Sequence, residues 1–160
     1  MAFELATVTA HIAGLTVTGK SSSGADKTVT LNDFDSIKEQ ADIRLCPQFQ
    51  PDITRQVTFQ AIERNSFGNG AVAKQTLYYT IPYVLLYEPI SSTRGLIEVF
   101  PNMIYTMSAI ITELIEHDTP SNMTVDMQIN EFTLGGTVND PSGAQFHGVN
   151  VSVIVREFIL

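Results

Sequence analysis

Apolar positions along the chain recur with two different periods. Over residues 2–14, Leu5, Val8, Ile12 and Leu15 fall at helical spacing, with Ala6, Ala10 and Ala13 between them and Gly14 as a terminator, so a helix is expected there. The polar run Gly19–Asp26 reads as a flexible loop near 19–27, followed by a short strand marked by Val29 and Leu31. Asp33–Gln40 reads as a polar turn or a single helical turn. Ile43, Leu45 and Phe49 read as an extended piece bounded by Pro47 and Pro51.

From residue 54 the period shortens to two. Residues 54–65 alternate, with Val57, Phe59 and Ala61 on one face, and 72–88 form a longer run from Leu77 to Tyr87. Ser66-Phe67-Gly68-Asn69-Gly70 between them tolerates positive φ, so 54–88 is expected to be a long hairpin. The second strand is apolar on both faces, as a strand covered on both sides would be. At ~3.3 Å per residue it would extend roughly 50 Å, more than a small domain can cover by itself. Pro82 predicts an edge position or a bulge.

A second helix is expected over 92–118, with Leu96, Phe100, Ile104, Met107, Ile111 and Leu114 as its apolar stripe. Ser91, Ser92 or Thr93 could cap it, and Pro101 marks a kink or the first turn. Two further strands, 123–134 and 145–158, flank the turn signal Asn139–Gly143. The whole reads as a single α/β (α+β) domain over 1–160. Its N-terminal helix and one main central helix pack on a mixed or antiparallel sheet of four to five strands.

Composition changes this picture in one respect. Charged residues are 16% of the chain, against about 25% for an average soluble domain. A subunit can hide neutral surface against neighbours where a monomer must coat itself in charge. The formal net charge of −8, with nine scattered basic residues, argues against a grip on nucleic acid, which needs a basic stripe. It accords either with ordinary solubility or with a channel that DNA slides through. Met1-Ala2-Phe3-Glu4 lacks the basic start and apolar run of a signal peptide, and no run approaches the ~20 apolar residues of a membrane span. Folding in a reducing cytoplasm is therefore expected, with Asn122 and Asn150 as chance glycosylation sequons. The sole cysteine, Cys46, reads as a buried small side chain.

Candidate chemistry is thin. Gly14–Ser21 satisfies the phosphate-loop pattern literally, but that loop must leave a buried strand and enter a helix, and neither is expected around it. Glu113 and His117 share a helix face beside Glu116, yet a zinc-protease helix needs two histidines around its glutamate. Ser66 lacks a nucleophile elbow. Tyr78, Tyr79, Tyr83 and Tyr87 could stack on bases or sugars, but no basic residue lies between Lys74 and Arg94, so core packing or a subunit interface is preferred. No catalytic, cofactor or metal residues are expected.

Three stretches carry a resemblance. They are Arg64-Asn65-Ser66-Phe67-Gly68 leading into Leu77-Tyr78-Tyr79, Arg94-Gly95-Leu96-Ile97-Glu98-Val99-Phe100-Pro101, and Asp140-Pro141-Ser142-Gly143-Ala144-Gln145-Phe146-His147-Gly148. Together with the order of elements they resemble the tail-terminator (tail-completion) proteins of long-tailed bacteriophages, most of the chain being covered. The Gly19–Asp26 loop looks like a local elaboration. The resemblance implies a virion protein, assembled in the host cytoplasm. Its hexameric homo-oligomeric ring caps the tail tube, meets the head connector or stopper, and lets DNA pass without specific binding. Phe67, Tyr78, Tyr83, Tyr87 and Arg94 are then the candidate subunit-interface residues. The alternatives are a head-completion or stopper protein, a tail-tube subunit, or a small ligand-binding module or enzyme.

Overall fold

The helical spacing near the N-terminus does fold as a helix: α1 spans Leu5–Ala13 and buries Val8, Thr9 and Ile12. In the computed structural model the described residues are 5–33, 43–48, 58–64, 75–91, 94–120, 125–133, 137–140 and 142–159. The described residues hold eight strands, five before the second helix and three after it: β1 Val17–Lys20, β2 Asp26–Leu31, β3 Arg44–Pro47, β4 Thr58–Arg64, β5 Gln75–Pro89, β6 Val125–Thr133, β7 Val138–Asn139 and β8 Gln145–Ile159. That helix, α2, spans Leu96–Glu116. The architecture is α+β with a mixed sheet, but the four to five strands expected are too few. The extra ones are short or polar, and alternation alone does not reveal them.

One expected loop is among them. Residues 17–20 pair antiparallel with 26–29, Val17 opposite Val29 and Lys20 opposite Asp26. The connection is only Ser21–Ala25, closed by Ser21 N–H donating to the Ala25 carbonyl at 2.8 Å and by Gly24 at φ 89°. A side chain at Gly24 would be strained in that left-handed conformation. The hairpin alternates in burial, with Val17, Gly19, Val29 and Leu31 inward, and it is also held against α2. The Lys20 amide donates to Thr106 Oγ1 at 2.9 Å, and the Tyr87 hydroxyl donates to the Lys20 carbonyl.

The sheet runs β1-β2-β3-β5-β8-β6, with β4 also on β5 and β7 on β8. Only β2 and β3 are parallel, through Thr30–Arg44 and Leu31–Leu45. The expected hairpin exists as β4 against β5, with a bulge between Phe59 and Ala61; its tip lies outside the described residues. Its second strand is nevertheless interior to the sheet. β5 pairs with β8 along nearly its whole length, from Gln75–Ile159 to Pro89–Phe146. Pro82 therefore sits in a central strand, contrary to an edge position. In an antiparallel strand a residue's N–H and C=O point to the same neighbour. The Pro82 carbonyl accepts from the Gln48 amide at 2.8 Å, so its missing donor faces the seam where β3 ends and β4 begins.

Both faces of β5 are apolar, and much of each is covered by this chain itself. Tyr79, Ile81, Tyr83, Leu85 and Tyr87 join Val149, Val151, Val153 and Val155 of β8 beneath both helices. On the opposite face Val84 and Leu86 pack with Cys46, Val138 and Phe146. Closure of that second cluster depends on Gly148, where an added Cβ would run into the Leu85 carbonyl and the Val138 side chain.

Helix α2 buries Val99, Met103, Thr106, Met107, Ile110 and Leu114. Of the expected stripe only Met107 and Leu114 are fully buried. Leu96 and Phe100 are 36% and 39% exposed instead. The helix carries apolar residues on more than one side, so a second stripe, one residue out of phase, competes with the first. Gly95 is the N-cap and offers no side-chain cap, which displaces the expected serine or threonine role. Pro101 lies inside the helix, where it cannot donate to the Ile97 carbonyl.

Overpacking of a close backbone approach typically costs about 1–3 kcal/mol, and more where backbone blocks relief. Gly148→Ala is therefore expected to destabilise the protein by at least that amount. Gly95→Ala, with open space around it, should stay within ~1 kcal/mol; paired urea melts measure both.

Candidate assembly surfaces

The surface features that stand out are apolar positions on α2 and the outer edges of the sheet. Half-exposed Arg94 precedes α2, whose start carries Leu96, Ile97 and Phe100, of which Ile97 is 90% exposed. At its other end Ile115 is 65% exposed and forms one wall of a groove of ≈ 470 Å³. Ile111 and Leu114 complete that wall, and Met127 and Ile129 of β6 with Val153 of β8 form the floor. Among the described residues β6 pairs with β8 alone and β4 with β5 alone. The outer edge of β6 is closed at one point, where the Met127 amide donates to the Asp118 carbonyl at 2.9 Å, and among the described residues the outer edge of β4 has no strand beside it.

The interface residues expected from sequence separate into three groups. Phe67 lies outside the described residues. Tyr83 and Tyr87 belong to the chain's own core, so neither side chain is available to a neighbour as the chain stands. Burial pushes both phenols up, Tyr87 to about 12 even though it reaches Thr106, and Tyr83 further still. The tyrosine series is no stacking platform: Tyr79, Tyr83 and Tyr87 face the helices and Tyr78 faces the other way. Tyr78 is half-buried beside a shallow depression of ≈ 310 Å³ with Asp126, Gln128, Ile154 and Arg156, where Arg156 pairs with Asp126. Arg94 makes no ion pair among the described residues.

The candidate chemistry resolves as follows. Gly14–Ser21 runs from a helix end into β1 and a tight turn, and Lys20 is held by Asp26 with its ammonium 5.6 Å from the Tyr105 ring centre. The amides at Lys20 and Ser21 are already bonded, so no phosphate cradle is left. Glu113, Glu116 and His117 bring one donor atom each within 4.8 Å of one another at the exposed end of α2. His117 Nδ1 lies 3.2 Å from a Glu113 carboxylate oxygen. His11 donates from Nε2 to the His117 carbonyl at 2.9 Å, tying α1 to the end of α2. Ser66 lies outside the described residues.

Sequence reading missed a polar cleft of ≈ 670 Å³ lined by Ser22, Lys27, Arg44, Glu88 and Asp140. Nothing in the spacing of these residues announces it, because the pieces come from three strands and two turns. Arg44 and Asp140 form a buried ion pair at 3.1 Å, and the Arg44 guanidinium lies 5.7 Å from the Phe146 ring centre. Burial opposes ionisation of Asp140. Hydrogen bonds from the Ser142 hydroxyl and the amides of Ala144 and Ser142, with the Arg44 charge, outweigh it and hold the carboxyl below its ordinary range. Glu88 accepts from the Ser22 hydroxyl at 3.0 Å, while its other oxygen is buried without a hydrogen-bond partner among the described residues. Cys46 is fully buried, and burial pushes its thiol up to about 11.

No protein-family model, curated protein or solved structure matches this chain.

A carboxyl whose folded pKa is depressed adds stability that is complete above the unfolded value of about 4 and is lost as pH falls through the folded one. Asp140→Asn removes that contribution and leaves the Arg44 charge buried. It should cost about 3–5 kcal/mol at pH 7, and urea melts repeated towards pH 3 should show the gap from the parent closing. Cys46 should react with a disulfide reagent at pH 8 only as fast as the chain opens, and at once in denaturant; absorbance of the released thiolate reads this directly.

Proposed function

We propose that this chain is a structural subunit that assembles with copies of itself, and that its assembly is the ring of a tail terminator at the head-proximal end of a long phage tail. The observation that carries the self-assembly reading is the apolar surface of α2. Ile97, Tyr105 and Ile115 are 90%, 53% and 65% exposed on a chain that carries little charge. Side chains of this size are left in water at a cost that burial against a neighbour would recover, at ~25 cal/mol per Å². The outer edge of β4, with no strand beside it among the described residues, adds a second means of joining.

The choice of a phage tail rests on the resemblance of the three stretches named above and on the order helix, long hairpin, main helix, closing strands. In this reading the ring caps the tail tube, docks to the head connector or stopper, and passes DNA through a lumen that the net charge of −8 keeps from sticking. A head-completion or stopper role shares these supports. A tail-tube role fits less well, because tube proteins rely on a β-sandwich with one helix and α1 and α2 are two. The polar cleft with the unsatisfied Glu88 oxygen favours one reading of another class, a small ligand-binding module.

Solution mass separates these readings. A ring former should give a discrete oligomer, expected as a hexamer, and negative-stain images should show a ring with a central channel. A chain that stays monomeric up to hundreds of micromolar while taking up a small ligand would reject the assembly reading.

A further inference from the structure

Strand register sets the charged side chains of the polar cleft. β3 starts at Arg44, which lies opposite Thr30 of β2 on one side and Leu86 of β5 on the other. Lys27 comes three residues before Thr30, and Glu88 two residues after Leu86. Because β2 and β5 run in opposite directions, both lie past the same end of β3, on strands two spacings or roughly 10 Å apart. Both line the ≈ 670 Å³ cleft, a volume within the ~300–1,000 Å³ of small-molecule sites.

The charges of the lining balance, but only two of them pair with each other. Arg44 and Asp140 close at 3.1 Å, and the Ser142 and Ala144 amides fix the carboxylate. Glu88 and Lys27 form no ion pair with one another. Among the described residues Glu88 accepts from the Ser22 hydroxyl on one oxygen, and its other oxygen is buried without a hydrogen-bond partner. A carboxylate so sparsely bonded attracts a cationic donor strongly, because charge-assisted hydrogen bonds are the strong ones and leaving them unmade is costly. Beside these charges Ile43, Pro89 and Phe146 supply apolar lining.

We infer that the cleft binds a small zwitterion of the amino-acid type. Its ammonium sits on the Glu88 carboxylate beside Ser22, its carboxylate faces Lys27, and an apolar side chain lies against Ile43, Pro89 and Phe146. Charge selects this class over others. A simple amine would meet Lys27 as well as Glu88, and a lone anion would meet Glu88 on a chain of net charge −8. A neutral polyol would leave the Glu88 charge unanswered. The Arg44–Asp140 pair, closed on itself, forms a neutral wall rather than a competing charge. Every group of the site comes from one copy of the chain, so it is independent of self-assembly.

Calorimetric titration of the full chain with leucine tests this, alongside isoamylamine, which lacks the carboxylate, and 4-methylpentanoate, which lacks the ammonium. Leucine should bind with a Kd below about 1 mM, and each analogue at least tenfold more weakly. Glu88→Gln should weaken leucine at least tenfold and leave 4-methylpentanoate unchanged. Lys27→Gln, at an exposed position, should weaken leucine and leave isoamylamine unchanged. An analogue that binds as well as leucine, or either variant binding leucine as the parent does, overturns the assignment. So does a parent that gives no binding heat with leucine or phenylalanine up to about 10 mM.

Discussion

Two fifteen-residue strands, distant in sequence, lie side by side from end to end, and nearly everything else in the molecule is placed by that pairing. β5 and β8 set the register for the rest: β3 and β4 share one edge of β5, while β6 and β7 share the far edge of β8. Their inward side chains form the floor on which α1 and α2 lie. A pairing of this range is entropically costly to initiate, since the intervening chain must be closed before many contacts form. Both strands compensate by being apolar on the helix side without interruption, from Tyr79 to Tyr87 and from Val149 to Val155.

Two polar contacts reach into this interior and tie elements to one another. Thr106 is a buried hydroxyl in the middle of a helix, and it both receives the Lys20 amide and donates to backbone carbonyls. That exchange clips a short, polar hairpin onto α2. Arg44 and Asp140 form a second polar lock between β3 and the turn before β8, on the opposite face of the sheet. A buried ion pair of this kind is a weak source of net stability, but each partner makes the other hard to lose. It fixes the turn at 140–144 relative to the sheet, and that turn carries Val138 over the second core cluster.

The sequence made the two helices and the principal strands legible, because their periodicity follows from burial on one side. The hairpin β4–β5 and the turn ahead of β8 could also be read, since turn residues act locally. Three things could not. β1 is four residues with Val17 as its one apolar side chain, too little to read, and it is held to α2 by the Lys20–Thr106 bond, a contact 86 residues away. The partner of β5 on its second edge is a matter of long-range topology, so the strand looked uncovered when it was central. The buried side of α2 is ambiguous in a helix with apolar residues on several sides, and the stripe chosen by spacing put Leu96 and Phe100 inside. For the surface residues the outcome is similar. Tyr78 and Arg94 remain accessible in part, whereas Tyr83 and Tyr87, of the same residue type as Tyr78, fill the core.

The groove beside α2 has a history as well as a shape. Its floor is made by β6 and β8, and β6 has no strand partner other than β8 among the described residues. β8 leaves the ribosome after every other element described, so the groove cannot exist until synthesis has passed the last strand. The apolar start of α2, by contrast, is encoded some fifty residues earlier, at Leu96–Phe100 against Gln145–Ile159. A nascent chain therefore carries the apolar start of α2 before the groove exists, and a formed groove marks a finished fold.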